Sequence, residues 1–186
     1  MLLKSLLAIL SSPLFVAASS RRSHANSTVN AQSSITAFNL SAISAVNGAS
    51  VLQCWQITLP LGVSQTLGIQ GAAVQQLGDV RNMTWGSLPA GYPGTPHPAP
   101  FVLYNVFLSG TVRITIPNSP QEVMVHGGKH GFLLAADIAN VSETGHVSSV
   151  VGNEELTGLM IPAANGEIPP HRVIHGGACD KYDLEL

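Results

Sequence analysis

The chain has 186 residues, of which 45% are hydrophobic and only 10% charged, with a formal net charge of −2 and two cysteines. That is too apolar for a disordered chain and too short for two comfortable domains. It is also too poor in positive charge for a nucleic-acid backbone to be the expected partner.

The first segment reads as an export signal. Lys4 is followed by a nearly continuous apolar run from Leu6 to Ala18, then by the small residues Ala17, Ala18, Ser19 and Ser20, which suit signal-peptidase cleavage. The run is shorter than the ~20 residues a spanning helix needs. Residues 1–20 are therefore expected to be a signal peptide, with a secreted, extracellular product and no membrane span in the mature chain. Arg21-Arg22 follows, read as a charged start to a tail or a processing site. Removal of residues 1–22 leaves Arg81, Arg113, Lys129, Arg172 and Lys181 against all ten acidic side chains, a net charge near −5.

Residues 21–45, rich in Ser, Asn, Ala and Thr, are expected to form a flexible polar lead. Four Asn-x-Ser/Thr sequons, at Asn26, Asn39, Asn82 and Asn140, are candidate glycosylation sites in an exported chain. Cys54 and Cys179 form an even pair in an oxidising compartment, so a disulfide between them is expected to tether the C-terminal tail.

From Val51 onward, short apolar runs punctuated by Gly and Pro predict strands at 51–59, 73–77, 82–88, 101–108, 112–116, 122–125, 132–136, 147–151 and 156–161. Helix signals are weak. Val112, Ile114 and Ile116 alternate with Thr111, Arg113 and Thr115, the period of a half-buried strand that turns Arg113 outward. Ser109-Gly110 predicts a tight hairpin between 101–108 and 112–116. Trp55, Trp85, Phe101, Phe107 and Phe132 are expected to build the core. Residues 46–163 then form one all-β domain, and 164–186 a C-terminal tail packed on it.

The text from Gly91 to Gly110 resembles the first motif of the cupins, small β-barrel proteins, in which Gly-x5-His-x-His-x3/4-Glu-x6-Gly supplies metal ligands. Gly91, His97 and Gly110 match the opening glycine, first ligand and closing glycine. The second histidine position falls on Ala99 and the glutamate position on Leu103. The stretch from Gly131 to His146 resembles the approach to the second motif, with His146 at its ligand position. The resemblance covers roughly residues 50–162 and implies a single-domain cupin-like β-barrel or jelly roll. It also implies that His97 and His146 face one cavity as metal ligands. Such barrels host enzymes of many classes as well as binding and storage proteins.

Alanine and leucine donate no ligand electrons, so His97 and His146 alone leave an incomplete set for Fe, Mn, Ni or Zn. No cofactor is the expectation, with a divalent metal left open. Without a metal, His97 or His146 suits general acid/base work, Tyr104 is a candidate hydrogen-bond donor, and Asp137 or Glu143 is a candidate orienter of a histidine. The plainer expectations are strand packing for Tyr104 and solvated turns for Asp137 and Glu143. The pairs His126/His130 and His171/His175, bracketed by Gly and Pro, read as surface-loop histidines.

The leading expectation is a secreted protein binding a small organic ligand in its barrel. A small-molecule isomerase, cyclase, dehydratase or decarboxylase using histidine acid/base chemistry is the alternative, and a structural secreted glycoprotein the third. A homodimer is left open. No serine-hydrolase elbow or nucleotide-binding glycine loop is present.

Overall fold

A computed structural model describes residues 35–185. The expected signal peptide, Arg21-Arg22 and the sequon at Asn26 lie outside these residues. Among the described residues, no helix is long and apolar enough to cross a membrane.

The chain is all-β. The strands are β1 (Asn39–Val46), β2 (Ala49–Ile57), β3 (Leu61–Val63), β4 (Ala73–Gln75), β5 (Thr84–Leu88), β6 (Leu103–Ser109), β7 (Thr111–Thr115), β8 (Glu122–His126), β9 (Phe132–Ala135), β10 (Val147–Val150), β11 (Leu156–Pro162) and β12 (His171–Gly176). A single-turn helix, α1 (Lys181–Leu184), closes the described chain. A seven-stranded sheet runs β12-β2-β1-β9-β6-β11-β5, a three-stranded sheet runs β10-β7-β8, and β3 pairs with β4.

The seven-stranded sheet buries both faces. On one, Ile43, Leu52, Leu103 and Leu133 meet Val112, Ile114, Val125 and Val150 of the three-stranded sheet. On the other, Leu40, Ala42, Trp55, Tyr104 and Leu134 form a second apolar layer, with Leu59 and Leu77 packed against it. Successive strand side chains point to opposite faces. A strand covered on both sides must therefore be apolar throughout, which is why β9 and the residue after it read Phe-Leu-Leu-Ala-Ala.

Nine of the expected strands form close to their expected bounds, but three more come from segments read otherwise. β1 lies inside the expected flexible lead, where Leu40, Ala42 and Ile43 are almost fully buried between β2 and β9. Its small polar residues hid it, because Ser41 and Asn39 are buried through hydrogen bonds rather than apolar area. Ser41 Oγ accepts from Cys179 N at 3.0 Å. Asn39 donates to Asp183 O at 2.7 Å and accepts from Gln56 at 3.1 Å. The Asn39 sequon is thus buried in the folded domain, whereas Asn82 and Asn140 are exposed. β3 was not anticipated, and β12 draws His171 and His175 out of the expected loop and into the sheet edge beside β2.

The 109–110 hairpin does not form. β6 pairs with β9 and β11, while β7 pairs with β8 and β10. Ser109-Gly110 is instead a corner where the chain passes from one sheet to the other. Gly110 has φ +75°, and a Cβ there would lie 2.5 Å from Glu155 O, so the corner needs glycine for both conformation and close approach.

Trp85 and Phe101, expected in the core, are exposed, while Trp55 is buried. The expected disulfide joins Cys54 on β2 to Cys179, with Cα atoms 4.5 Å apart across 125 residues of sequence. It pins the C-terminal segment to the large sheet and fits an extracellular location.

Candidate functional site

Between the two sheets lies a cavity of about 430 Å³. Its wall is mostly aliphatic and aromatic, from residues such as Leu103, Phe107, Val112, Ile114 and Leu133. Among the described residues, no Lys, Arg, Asp or Glu lines it. The polar groups it does hold include His97, His146 and Asn105.

His97 and His146 meet as the sequence led us to expect, and the backbone explains how. They exchange both main-chain hydrogen bonds, His97 N to His146 O at 3.0 Å and His146 N to His97 O at 2.9 Å. Residues so paired across antiparallel segments put their side chains on one face, and the two rings lie 4.7 Å apart. Gly145 makes the approach possible. At φ +62°, its missing Cβ would overlap the carbonyl group of His97.

Behind His146 stands a directed hydrogen-bond chain. Asp137 Oδ2 accepts from His146 Nδ1 at 2.8 Å and from Ser50 Oγ at 2.7 Å. Since the Ser50 hydroxyl proton is used on Asp137, the 2.7 Å contact between Ser50 and Ser142 must run from Ser142 to Ser50. Ser142 Oγ in turn accepts from Gly145 N at 3.1 Å. Asp137 is completely buried, and its Oδ1 has no partner. A carboxylate in such a place is costly unless charge or hydrogen bonds compensate it. Here two donors on one oxygen do so, and in return they orient the His146 ring.

The tautomers follow from these partners. His146 uses Nδ1–H on Asp137, and His97 uses Nδ1–H on the carbonyl of Thr95 at 2.8 Å. A carbonyl and a carboxylate can only accept, so each ring in its neutral form carries its proton on Nδ1 and leaves Nε2 as a bare acceptor. Among the described residues, neither Nε2 has a hydrogen-bond partner. His146 is buried and His97 exposed, so the pair runs from the inner wall to the solvent.

Of the two expectations for Asp137, the solvated turn does not hold and the orienter does: it is buried and bonded to His146. Glu143 is exposed and takes no part. Tyr104 lies on the opposite face of the large sheet, away from the cavity. Its hydroxyl donates to Leu77 O at 2.5 Å, and burial pushes its pKa up to about 12. Arg113 is exposed, as alternation predicted, and is paired with Glu122. His126, His171 and His175 do not line the cavity, and His175 instead bonds Asp183 at 3.0 Å.

Ala99 and Leu103, which stand where the resemblance would place a second histidine and a glutamate, both line the cavity wall. They leave two imidazoles as the donor set, short of the three protein ligands a catalytic metal usually takes. Among the described residues, Cys54, His175 and Asp183 bring ligand atoms within 4.8 Å of one another. The Cys54 sulfur is held in the disulfide and is not a thiolate ligand.

Sequence reasoning missed Asn105, Ser50 and Ser142. Asn105 shares a face of β6 with Leu103 and Phe107, and its side-chain amide has no hydrogen-bond partner among the described residues. A lone amide between apolar positions of matching parity was a readable signal. Ser50 and Ser142 were not readable, since their roles depend on segments about 90 residues apart. No family model matches this sequence, no curated protein matches it, and no solved structure matches it.

Proposed function

We propose that this is a secreted protein whose inter-sheet cavity binds a small, uncharged organic ligand. The observation that carries the reading is the pair of bare imidazole nitrogens on the wall of a mostly apolar cavity, one of them backed by a buried carboxylate. The volume lies in the range of known small-molecule sites, which combine apolar walls with a few placed polar groups. A wall without charged side chains offers no counter-charge to an anion or cation, so a neutral ligand fits best. The imidazoles would accept a hydrogen bond from it, and Asn105 would donate one.

The disulfide, the exposed sequons at Asn82 and Asn140 and the apolar N-terminal run support the extracellular setting. The motif resemblance to cupins agrees with a cavity between facing sheets but contributes no ligand identity.

Calorimetric titration with 2-naphthol, a neutral bicyclic hydroxyl compound, tests the reading. Saturable binding is expected, weakened about tenfold by His146→Gln, the loss of one hydrogen bond to a buried group. Ala135→Leu, which projects three further carbon atoms into the cavity, should weaken it. Equal binding by wild type and Ala135→Leu would place the ligand elsewhere and overturn the proposal.

A further inference from the structure

We propose that the cavity is catalytic, with His146 as the general base that removes a proton from the carbon next to the carbonyl of a neutral ketone. The inference rests on the binding reading above and extends it from a ligand to a reaction class. Three features of the site combine. Nε2 of His146 is an acceptor without a partner among the described residues, so it takes a proton and does not give one in the neutral tautomer. Asp137 stands on the far side of the ring, bonded to Nδ1, where its negative charge stabilises the imidazolium formed by that transfer. The carboxylate is locked by Ser50, so the ring cannot turn away without breaking a buried bond.

The other half of the reaction needs a group for the carbonyl oxygen. As the C–H bond breaks, its electron pair moves into a new C=C bond and negative charge develops on that oxygen. A neutral amide donor on an apolar wall stabilises such charge more strongly than it would in water, and Asn105 is that donor. The proton sits on Nε2 of His146 until it returns to carbon and restores the ketone, or to a conjugated carbon and shifts a double bond. Nothing is oxidised or reduced, and no co-reactant is needed. The exposed His97 ring, 4.7 Å from His146, provides the route by which this proton exchanges with solvent. Asp137 is a positioning residue here, because it acts through His146.

The probe is 2-tetralone, a bicyclic neutral ketone with acidic protons beside its carbonyl. Incorporation of deuterium from D₂O is followed by proton NMR, alongside calorimetric binding of the same compound. The expected result is saturable acceleration of exchange over buffer, lowered about 100-fold or more by His146→Gln. Asp137→Asn should lower kcat at least about tenfold while leaving KM for tetralone unchanged, since the residue does not touch the ligand. Asn105→Ala, which leaves the buried network intact, should also lower kcat and guards against loss through misfolding. Tetralone that binds in the cavity but exchanges no faster than in buffer, or equally fast with His146→Gln, overturns the catalytic inference and leaves the binding reading standing. Tetralone that does not bind overturns this inference, while 2-naphthol binding decides the broader reading separately.

Discussion

The two faces of the seven-stranded sheet are built from alternating residues of the same strands, yet one face is filled and the other is hollow. Leu134, Ala136, Trp55 and Tyr104 pack into a continuous apolar layer on the first. Leu133 and Ala135, their immediate neighbours, border the histidine cavity on the second. Polar groups are handled differently as well. Tyr104 sends its hydroxyl to a backbone carbonyl and is finished. The hollow face keeps nitrogen and amide atoms without partners among the described residues. A close-packed interior stabilises the fold, whereas a ligand site must leave space and hydrogen-bonding capacity unfilled. The protein keeps these two requirements on opposite sides of one sheet.

The largest expected effect comes from breaking the filled face. Leu134→Ala should cost about 3–5 kcal/mol, because it opens a void among fixed neighbours. The same substitution next door, Leu133→Ala, should cost less, about 2–3 kcal/mol, since that side chain already borders open space. Urea unfolding of both variants checks the order, and equal losses would remove the contrast between the faces.

Adding volume sharpens the comparison in the opposite direction. Ala136→Leu should destabilise by about 1–3 kcal/mol through overpacking, while Ala135→Leu should be nearly neutral because the cavity accommodates the new atoms. Thermal unfolding distinguishes them.

A smaller effect is expected at Tyr104. Removing its hydroxyl in Tyr104→Phe should cost about 1 kcal/mol through the lost bond to Leu77 O. Its pKa is raised to about 12 in the folded chain from an ordinary 10.0, so the folded state holds the proton longer than the unfolded state does. The stabilising contribution is complete below pH 10 and is lost as pH rises toward 12. Tyr104→Phe should lack that part of the alkaline decline in a stability–pH profile.

The smallest effect belongs to the exposed imidazole–carboxylate pair at the C-terminus, the surface counterpart of His146–Asp137. His175 is raised above its ordinary range by the Gly176 carbonyl and then by Asp183. Asp183 is lowered, first by the Asp180 backbone N–H and then by His175. The His175 contribution is present below the ordinary imidazole range and fades as pH rises through the raised value. The Asp183 contribution fades as pH falls through the lowered one. Hydrogen-exchange protection of the Leu184 amide, which donates to Asp180 O, should therefore be best in mildly acidic solution and weaken slightly to either side. A protection that does not change with pH would show that the pair adds nothing measurable, as exposed pairs often do.

Short apolar runs bounded by Gly and Pro were enough to place nine strands, and period-two alternation to place the outward turn of Arg113, because both are local properties of the chain. The two cysteines similarly announced their bond through compartment chemistry. His97 and His146 were legible as partners only because a motif linked them, and their incomplete ligand set was legible in Ala99 and Leu103. What the linear text did not determine was pairing. It joined β6 to β7 across Ser109-Gly110, whereas the fold separates them into two sheets, since a glycine corner and a glycine hairpin look alike until the partners of each strand are known. It read β1 as a loose lead, because Ser41 and Asn39 owe their burial to hydrogen bonds with the distant C-terminal segment. It offered Asp137 as an orienter of a histidine but preferred a turn role, because a carboxylate is soluble by default and becomes a buried orienter only when Ser50 and His146 arrive from elsewhere in the chain. Local composition specifies which residues seek burial. Only the tertiary structure decides which polar groups are buried together, and in this protein that grouping makes the site.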